Sequence, residues 1–286
     1  VSVAEGVLVE QRGDTSRERV MARVTLAAAL GDLVVPAGLA LGAWVDLGWR
    51  SVLGLAFVVS VCVAIVHARS RELDRPLPRD EEDDDLAASD EAPEAELTGL
   101  AALRAALSQR ALVRLSLAGT MIGLLDEVLV AFAAVHLEAL SPGPASIVWR
   151  QAALGALIVG GVIGLMALER FVEDARAGRV LQLACVLAFV SSLALALATD
   201  LVIASVALFV LGASSAVLHP LVKARAYASL PGRPLLVNAV AAALVPLDAL
   251  APLVLGAIAF GTEPRIAMLV LALAPLGVLV LARRAK

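Results

Sequence analysis

Long apolar runs constrain this chain more than any other feature of its sequence. Each run approaches about 20 residues, the length that a helix needs to cross a membrane. Lipid offers the backbone no hydrogen-bond partners, so such runs must be helical, and barrel strands would alternate in polarity and be about half as long. With 60% hydrophobic and 17% charged residues, the chain has too little polar surface for a soluble protein of 286 residues. The sequence predicts an all-α polytopic membrane protein with eight spans: 24–45, 51–67, 112–135, 145–168, 180–198, 201–222, 235–260 and 265–282.

The positive charges are distributed unequally between the loops. Alternate loops and the C-terminal tail hold 20 of the 23 Lys and Arg residues, while the opposite loops hold only Arg50, Arg150 and Arg265. The positive-inside rule places the basic loops in the cytoplasm, and the three tryptophans then lie at the outer interface, which aromatic residues favour. We expect a multi-pass protein of the bacterial inner membrane with both ends cytoplasmic.

One loop is strongly acidic. Residues 80–96 contain ten Asp and Glu residues and no basic residue, so this stretch is predicted to be a solvated tether. It divides the chain into a partial N-terminal bundle at 1–70, a cytoplasmic linker at 71–110 and a complete six-helix bundle at 111–286. Two spans followed by six, together with Val1 in place of Met, indicate a piece of a twelve-helix protein that begins after its first helices.

Three stretches resemble one family of membrane proteins. "ERVMARVTLAAALGDLVVPAGLALGAWVDLGWR" is similar to its fifth helix, "GLLDEVLVAFAAVHL" to its seventh, and "HPLVKARAYASLPGRP" to the loop between its tenth and eleventh. The chain resembles helices five to twelve of a major facilitator superfamily transporter. The resemblance implies two six-helix bundles that rock about a central cavity and carry a small solute by alternating access. Proton-coupled efflux is one form of such transport.

Four acidic residues lie inside the predicted spans: Asp32, Asp126, Glu127 and Asp248. Intramembrane charges usually face a bundle interior or a wet cavity and mark a path for ions or substrate. Asp126 and Glu127 are adjacent, so on a regular helix they point about 100° apart, and we expect one of them, Asp126, to face the cavity. A carboxyl group in a dry site can hold a proton near neutral pH and so couple transport to protons. The alternative for each acid is a packing role.

Small and basic residues supply the remaining candidates. Gly38 with Gly42, and Gly160 with Gly164, form small-xxx-small patterns that let helices approach closely. The resemblance places both pairs at the interface between the bundles. Lys223, Arg225 and Arg233 set the topology, and they are also candidates for a cytoplasmic gate.

The rival functions are an integral-membrane enzyme and a non-transporting membrane scaffold. Zinc-protease spacing, a Walker loop and a nucleophile elbow are absent from the sequence. We therefore expect no catalysis, no cofactor and no bound metal. The expected partners are the lipid bilayer, a small solute and protons, and no nucleic acid.

Overall fold

The computed structural model describes residues 19–31, 49–69, 100–143, 146–171, 176–231, 233–261 and 263–284. All regular structure in these ranges is helical. The helices are α1 (residues 19–31), α2 (Trp49–Arg69), α3 (Leu100–Ser108), α4 (Arg110–Leu140), α5 (Ile147–Phe171), α6 (Ala177–Ala196), α7 (Leu201–Ser229), α8 (Pro234–Gly261) and α9 (Pro264–Arg283).

Six of these helices, α4 to α9, are long and apolar enough to cross a membrane. They coincide with the last six predicted spans. The predicted span 51–67 falls within α2, where Leu53–Cys62 is a shorter apolar stretch, and most of span 24–45 lies outside the described residues. The all-helical membrane class is therefore confirmed, while the total of eight spans stays a prediction.

The described residues divide into two compact units. One unit contains residues 19–30 and 100–284, and the other contains Gly31 and residues 49–69. In the larger unit α7 is the central helix and packs against α5, α6 and α4, while α9 packs between α4 and α6. Leu208, Leu211 and Leu218 of α7 are almost fully buried in the core.

Prolines determine where α8 and α9 begin and where they are interrupted. Each helix starts with proline, Pro234 or Pro264, at a position where the missing N–H costs nothing. The helical pattern of α8 breaks at Leu244, just before Pro246. That of α9 breaks at residues 272–273, just before Pro275. Proline disfavours helical geometry in the preceding residue and removes a backbone donor, which accounts for both breaks.

Polar contacts fix several helix ends. The Asp200 carboxylate accepts hydrogen bonds from the backbone N–H groups of Val202 and Ile203, both at 2.9 Å, and so caps α7. Arg114 of α4 donates to the carbonyl oxygen of Arg284 at 2.6 Å, which ties the start of α4 to the end of α9. The second of these contacts joins α9 to α4, the helix that carries Asp126 and Glu127.

Candidate functional site

The two carboxylates in the middle of α4 lie on a π-helical turn. Leu124–Val128 form this turn, and the backbone N–H of Leu129 donates to the carbonyl oxygen of Leu124, five residues earlier. Asp126 and Glu127 occupy its third and fourth positions. Because π turns occur frequently at functional sites, the irregular backbone of α4 strengthens the case for its two ionisable side chains.

Asp126 lies beside α7. Its carboxyl group is within hydrogen-bonding range of the Ser215 hydroxyl, and Ser215 is buried. Protein atoms crowd around Asp126, yet both Asp126 and Glu127 retain exposed surface.

Asp248 lies on α8, four residues after the break at Leu244. Its Oδ1 atom is buried and has no hydrogen-bond partner among the described residues. This atom faces the backbone of Gly123, where an added Cβ would lie 3.9 Å from it. The Glu127 carboxyl group is close enough to act electrostatically on both Asp248 and Asp126. Three of the four acids singled out in the sequence therefore lie together, and we call Asp126, Glu127 and Asp248 the carboxyl cluster.

The carboxyl cluster has no basic partner in the described part of the chain. The described ion pairs of known geometry join Arg23 to Glu169 at 2.7 Å and Arg150 to Glu138 at 3.3 Å, and no Lys, Arg or His pairs with the cluster. Within the same ranges, no group of three or more His, Cys, Asp and Glu residues has the arrangement of a metal site. Like charges at close range disfavour simultaneous ionisation, so the arrangement is suited to holding protons.

A second distinctive contact joins α5 to α7. An added Cβ at Gly160 would overlap with the carbonyl oxygen of Phe209, and one at Gly164 would overlap with that of Ala213. From the other side, a Cβ at Gly212 would overlap with the carbonyl oxygen of Leu157. The backbones of the two helices therefore touch, and we call Gly160, Gly164 and Gly212 the glycine seam.

The comparison with known families decides the identity of the fold. The family model described as Major Facilitator Superfamily matches residues 2–244. The chain belongs to the major facilitator superfamily. Neither the curated proteins nor the solved structures include a significant match to it.

Membership of the major facilitator superfamily confirms the resemblance seen in the sequence. Proteins of this superfamily are multi-pass membrane transporters and not enzymes, which agrees with the expected class of function. The match extends from before α1 to the break in α8 and includes the π turn and the glycine seam.

The remaining sequence candidates are not part of the carboxyl cluster. Lys223 and Arg225 lie half-buried in the last two turns of α7, and Arg233 is exposed just before α8. Gly160 and Gly164 contact α7 in the structure, and their place at the interface between the bundles stays a prediction. Asp32, Gly38 and Gly42 lie outside the described residues.

Sequence reasoning missed several residues of this superfamily member. The run "GASSA" at 212–216 packs five small residues in a row on α7, and it contains both Gly212 of the glycine seam and Ser215 beside Asp126. This run of small residues is the sequence signal from which Gly212 and Ser215 could have been selected. The π turn had no comparable signal, because Leu124–Val128 contain neither glycine nor proline.

Proposed function

We propose that the protein is a secondary active transporter that moves a small solute by alternating access, with proton binding at the carboxyl cluster coupled to solute movement. The observation that carries the proposal is the meeting of Asp126, Glu127 and Asp248 at the π turn of α4 without a described basic partner. Family membership supports transport in general. Proton coupling and efflux are parts of the proposal that family membership alone does not supply.

Ionised carboxyl groups are energetically costly inside a membrane, and proton binding lowers this cost. An ionised carboxylate near the centre of a membrane helix costs about 2.5–3.5 kcal/mol on insertion scales. Three carboxylates near one another add mutual repulsion, which proton uptake relieves. Opening of the site to water would remove the cost of ionisation and release the proton. Solute movement and proton release would then share one conformational change.

The local backbone supports movement at this site. Asp248 is only four residues beyond the break in α8, and Pro252, one turn later, lies inside the same helix and lacks a backbone N–H. A helix with missing backbone hydrogen bonds bends more readily than a regular one. Bending of α8 would carry Asp248 toward or away from the π turn, and so change the separation of the carboxyl groups.

The topology of the proposed transporter follows from charge. We place both ends in the cytoplasm of a bacterial cell, with 1–70 as part of one bundle, 71–110 as linker and 111–286 as the second bundle. Lys223, Arg225 and Arg233 then lie at the cytoplasmic face, where they form the proposed gate. Asp32 belongs to the proposed transport path, and Gly38 and Gly42, with Gly160 and Gly164, belong to the proposed interface between the bundles.

Asp126→Asn tests the coupling in the full-length protein, because it keeps the size of the side chain and removes its titration. A panel of labelled sugars, amino acids, nucleosides and lipophilic cations is first screened in proteoliposomes, and a compound that accumulates becomes the probe. We expect the variant to fold, to retain passive exchange of this probe, and to lose accumulation driven by a pH gradient.

Glu138→Gln is the matched control, since Glu138 lies on the same helix but is exposed at its end and contacts Arg150. It should accumulate the probe normally. Normal proton-driven accumulation by Asp126→Asn at normal abundance would contradict the coupling role. Failure of every compound to move under any ion gradient would contradict the transport proposal itself.

A further inference from the structure

A small cavity lies where the start of α6 meets the ends of α7 and α9. Its volume is about 220 Å³. Its polar lining consists of Gln182 from α6, Arg225 from α7 and Arg283 from α9, and Gly178 with Leu181 completes the wall on α6. The cavity lies at the opposite end of α7 from the Asp200 cap and does not include the carboxyl cluster.

The two arginines of this cavity have no counter-charge in the described part of the chain. Neither Arg225 nor Arg283 forms an ion pair or a side-chain hydrogen bond with a described residue. Both guanidinium-bearing residues line the same cavity of about 220 Å³, so their charges lie close to each other. Two adjacent cations beside a cavity repel each other, and an anion between them removes this repulsion.

The start of α6 provides further hydrogen-bond donors beside this cavity. The α6 helix begins at Ala177, and its N-cap residue, Arg176, has no side-chain acceptor with which to cap the first N–H groups. The first N–H groups of a helix have no partner within it, and their end of the helix carries partial positive charge. Gly178 lies in this first turn, next to Arg225: an added Cβ there would come within 3.3 Å of the Arg225 Nη2 atom.

We propose that this cavity binds a phosphate-bearing anion between Arg225 and Arg283. Guanidinium groups pair with phosphate through parallel hydrogen bonds, and basic pockets between membrane helices bind anionic headgroups. On the predicted orientation the cavity opens at the cytoplasmic headgroup layer. The phosphate group belongs either to an anionic phospholipid or to a soluble phosphate, and these two sources differ in how they are displaced.

The test uses the full-length protein in nanodiscs and two probes. In the first arm, nanodiscs contain phosphatidylcholine with a minor fraction of phosphatidylglycerol, and the lipid that remains with the protein after detergent extraction is quantified by mass spectrometry. In the second arm, nanodiscs contain phosphatidylcholine alone, and saturable binding of labelled inorganic phosphate is measured. Retained phosphatidylglycerol that phosphate does not displace identifies the lipid, and saturable phosphate binding without lipid enrichment identifies the soluble anion. Either result supports the site if it depends on the arginine pair.

Arg225→Gln with Arg283→Gln should reduce binding of the anion about tenfold or more, since each basic residue near the surface contributes about fivefold. The matched control is Arg179→Gln with Arg284→Gln, which removes the same charge from the same end of the bundle without altering the cavity lining. The control should bind as the unaltered protein does.

Gly178→Leu supplies a variant that keeps both arginines and fills the space beside Arg225. It should lose binding while retaining the melting temperature of the unaltered protein. Equal binding by the arginine double variant and its matched control, in both arms, would overturn the proposal. Undiminished binding by a folded Gly178→Leu variant would do the same.

Discussion

The contact between α5 and α7 differs from the contact between α4 and α8 in almost every physical respect. At the glycine seam two regular backbones touch, and no side chain separates them. At the carboxyl cluster the facing helices are both irregular, and a buried Asp248 oxygen has no described partner. In the most apolar 18-residue segment of α7, 50% of the segment is buried inside the structure. In the corresponding segment of α8, only 6% is buried.

From this difference we expect the α5–α7 contact to be rigid and the α4–α8 contact to be adaptable. In lipid, close packing of small residues is a main source of helix association, so the glycine seam provides a fixed frame. A helix with breaks and few buried side chains loses fewer stabilising contacts when it moves than a well-buried helix does. The carboxyl cluster lies beside α8, the least enclosed of the six membrane-length helices.

The largest effect is expected when a side chain is inserted into the glycine seam. Gly212→Leu should destabilise the fold by about 3 kcal/mol, because the new atoms would occupy the space of the Leu157 carbonyl group. Thermal unfolding in detergent and the yield of monodisperse protein measure the effect. Gly155→Leu is the control: it lies on α5 where an added Cβ meets nothing within 4 Å, and it should have little effect. An unchanged melting temperature for Gly212→Leu would refute the backbone contact.

A second change acts on the adaptable side. Pro246→Ala restores a backbone donor at the break in α8 and should make that helix stiffer without unfolding the protein. We expect transport to slow by about tenfold, equivalent to roughly 1.4 kcal/mol in the barrier. Initial rates in proteoliposomes measure it. Pro142→Ala, at an exposed loop position, should leave the rate unchanged, and an unchanged rate for Pro246→Ala would show that the break is not a hinge.

Ser215→Ala sharpens the assignment of the cluster, because it removes the hydroxyl beside Asp126. A typical hydrogen bond contributes about 1 kcal/mol, so proton-driven transport should fall by about fivefold. Ser214→Ala is a close control, since the Ser214 hydroxyl donates to the Val210 carbonyl oxygen of its own helix at 2.8 Å. Equal transport by the two variants would separate Ser215 from the coupling site.

The smallest effect is expected from the ion pair outside both contacts. Arg23 and Glu169 meet at 2.7 Å, but the two side chains are 52% and 29% exposed. Exposed pairs contribute about 0.2–1 kcal/mol. A double-mutant cycle of Arg23→Ala and Glu169→Ala, followed by thermal unfolding at low and high salt, should give a coupling energy in this range that salt diminishes. A larger coupling would mean that this pair, and not only the glycine seam, holds the frame together.

Much of the fold was predictable because lipid imposes a simple rule. Spans of the right length and composition coincide with α4 to α9, and the same rule selected Asp126, Glu127 and Asp248 as unusual residues. Their meeting was not predictable, since it depends on how α4 and α8 pack. The acids lie on different helices, as the sequence indicates, and the structure brings Asp248 of α8 near Asp126 and Glu127 of α4.

The π turn explains the main difference between expectation and structure. On a regular helix only one of Asp126 and Glu127 was expected to face the cavity. Both retain exposed surface in the structure, and the backbone beneath them is not regular. An extra residue in a helical turn shifts the direction of the side chains that follow, and nothing in the local sequence announces it. Similarly, the partner of Gly160 and Gly164 depends on which helix lies beside α5, which a glycine spacing does not specify.

The length of α7 has a consequence for the membrane around it. Its 29 residues, at about 1.5 Å each, extend about 43 Å, whereas the hydrocarbon layer is about 30 Å thick. Counted from Asp200, the helix crosses that layer by about Pro220 and continues for roughly nine further residues. An average tilt of about 20° shortens the excess only slightly. Lys223 and Arg225 therefore lie beyond the acyl chains, and a bilayer of different thickness would move them relative to the headgroups.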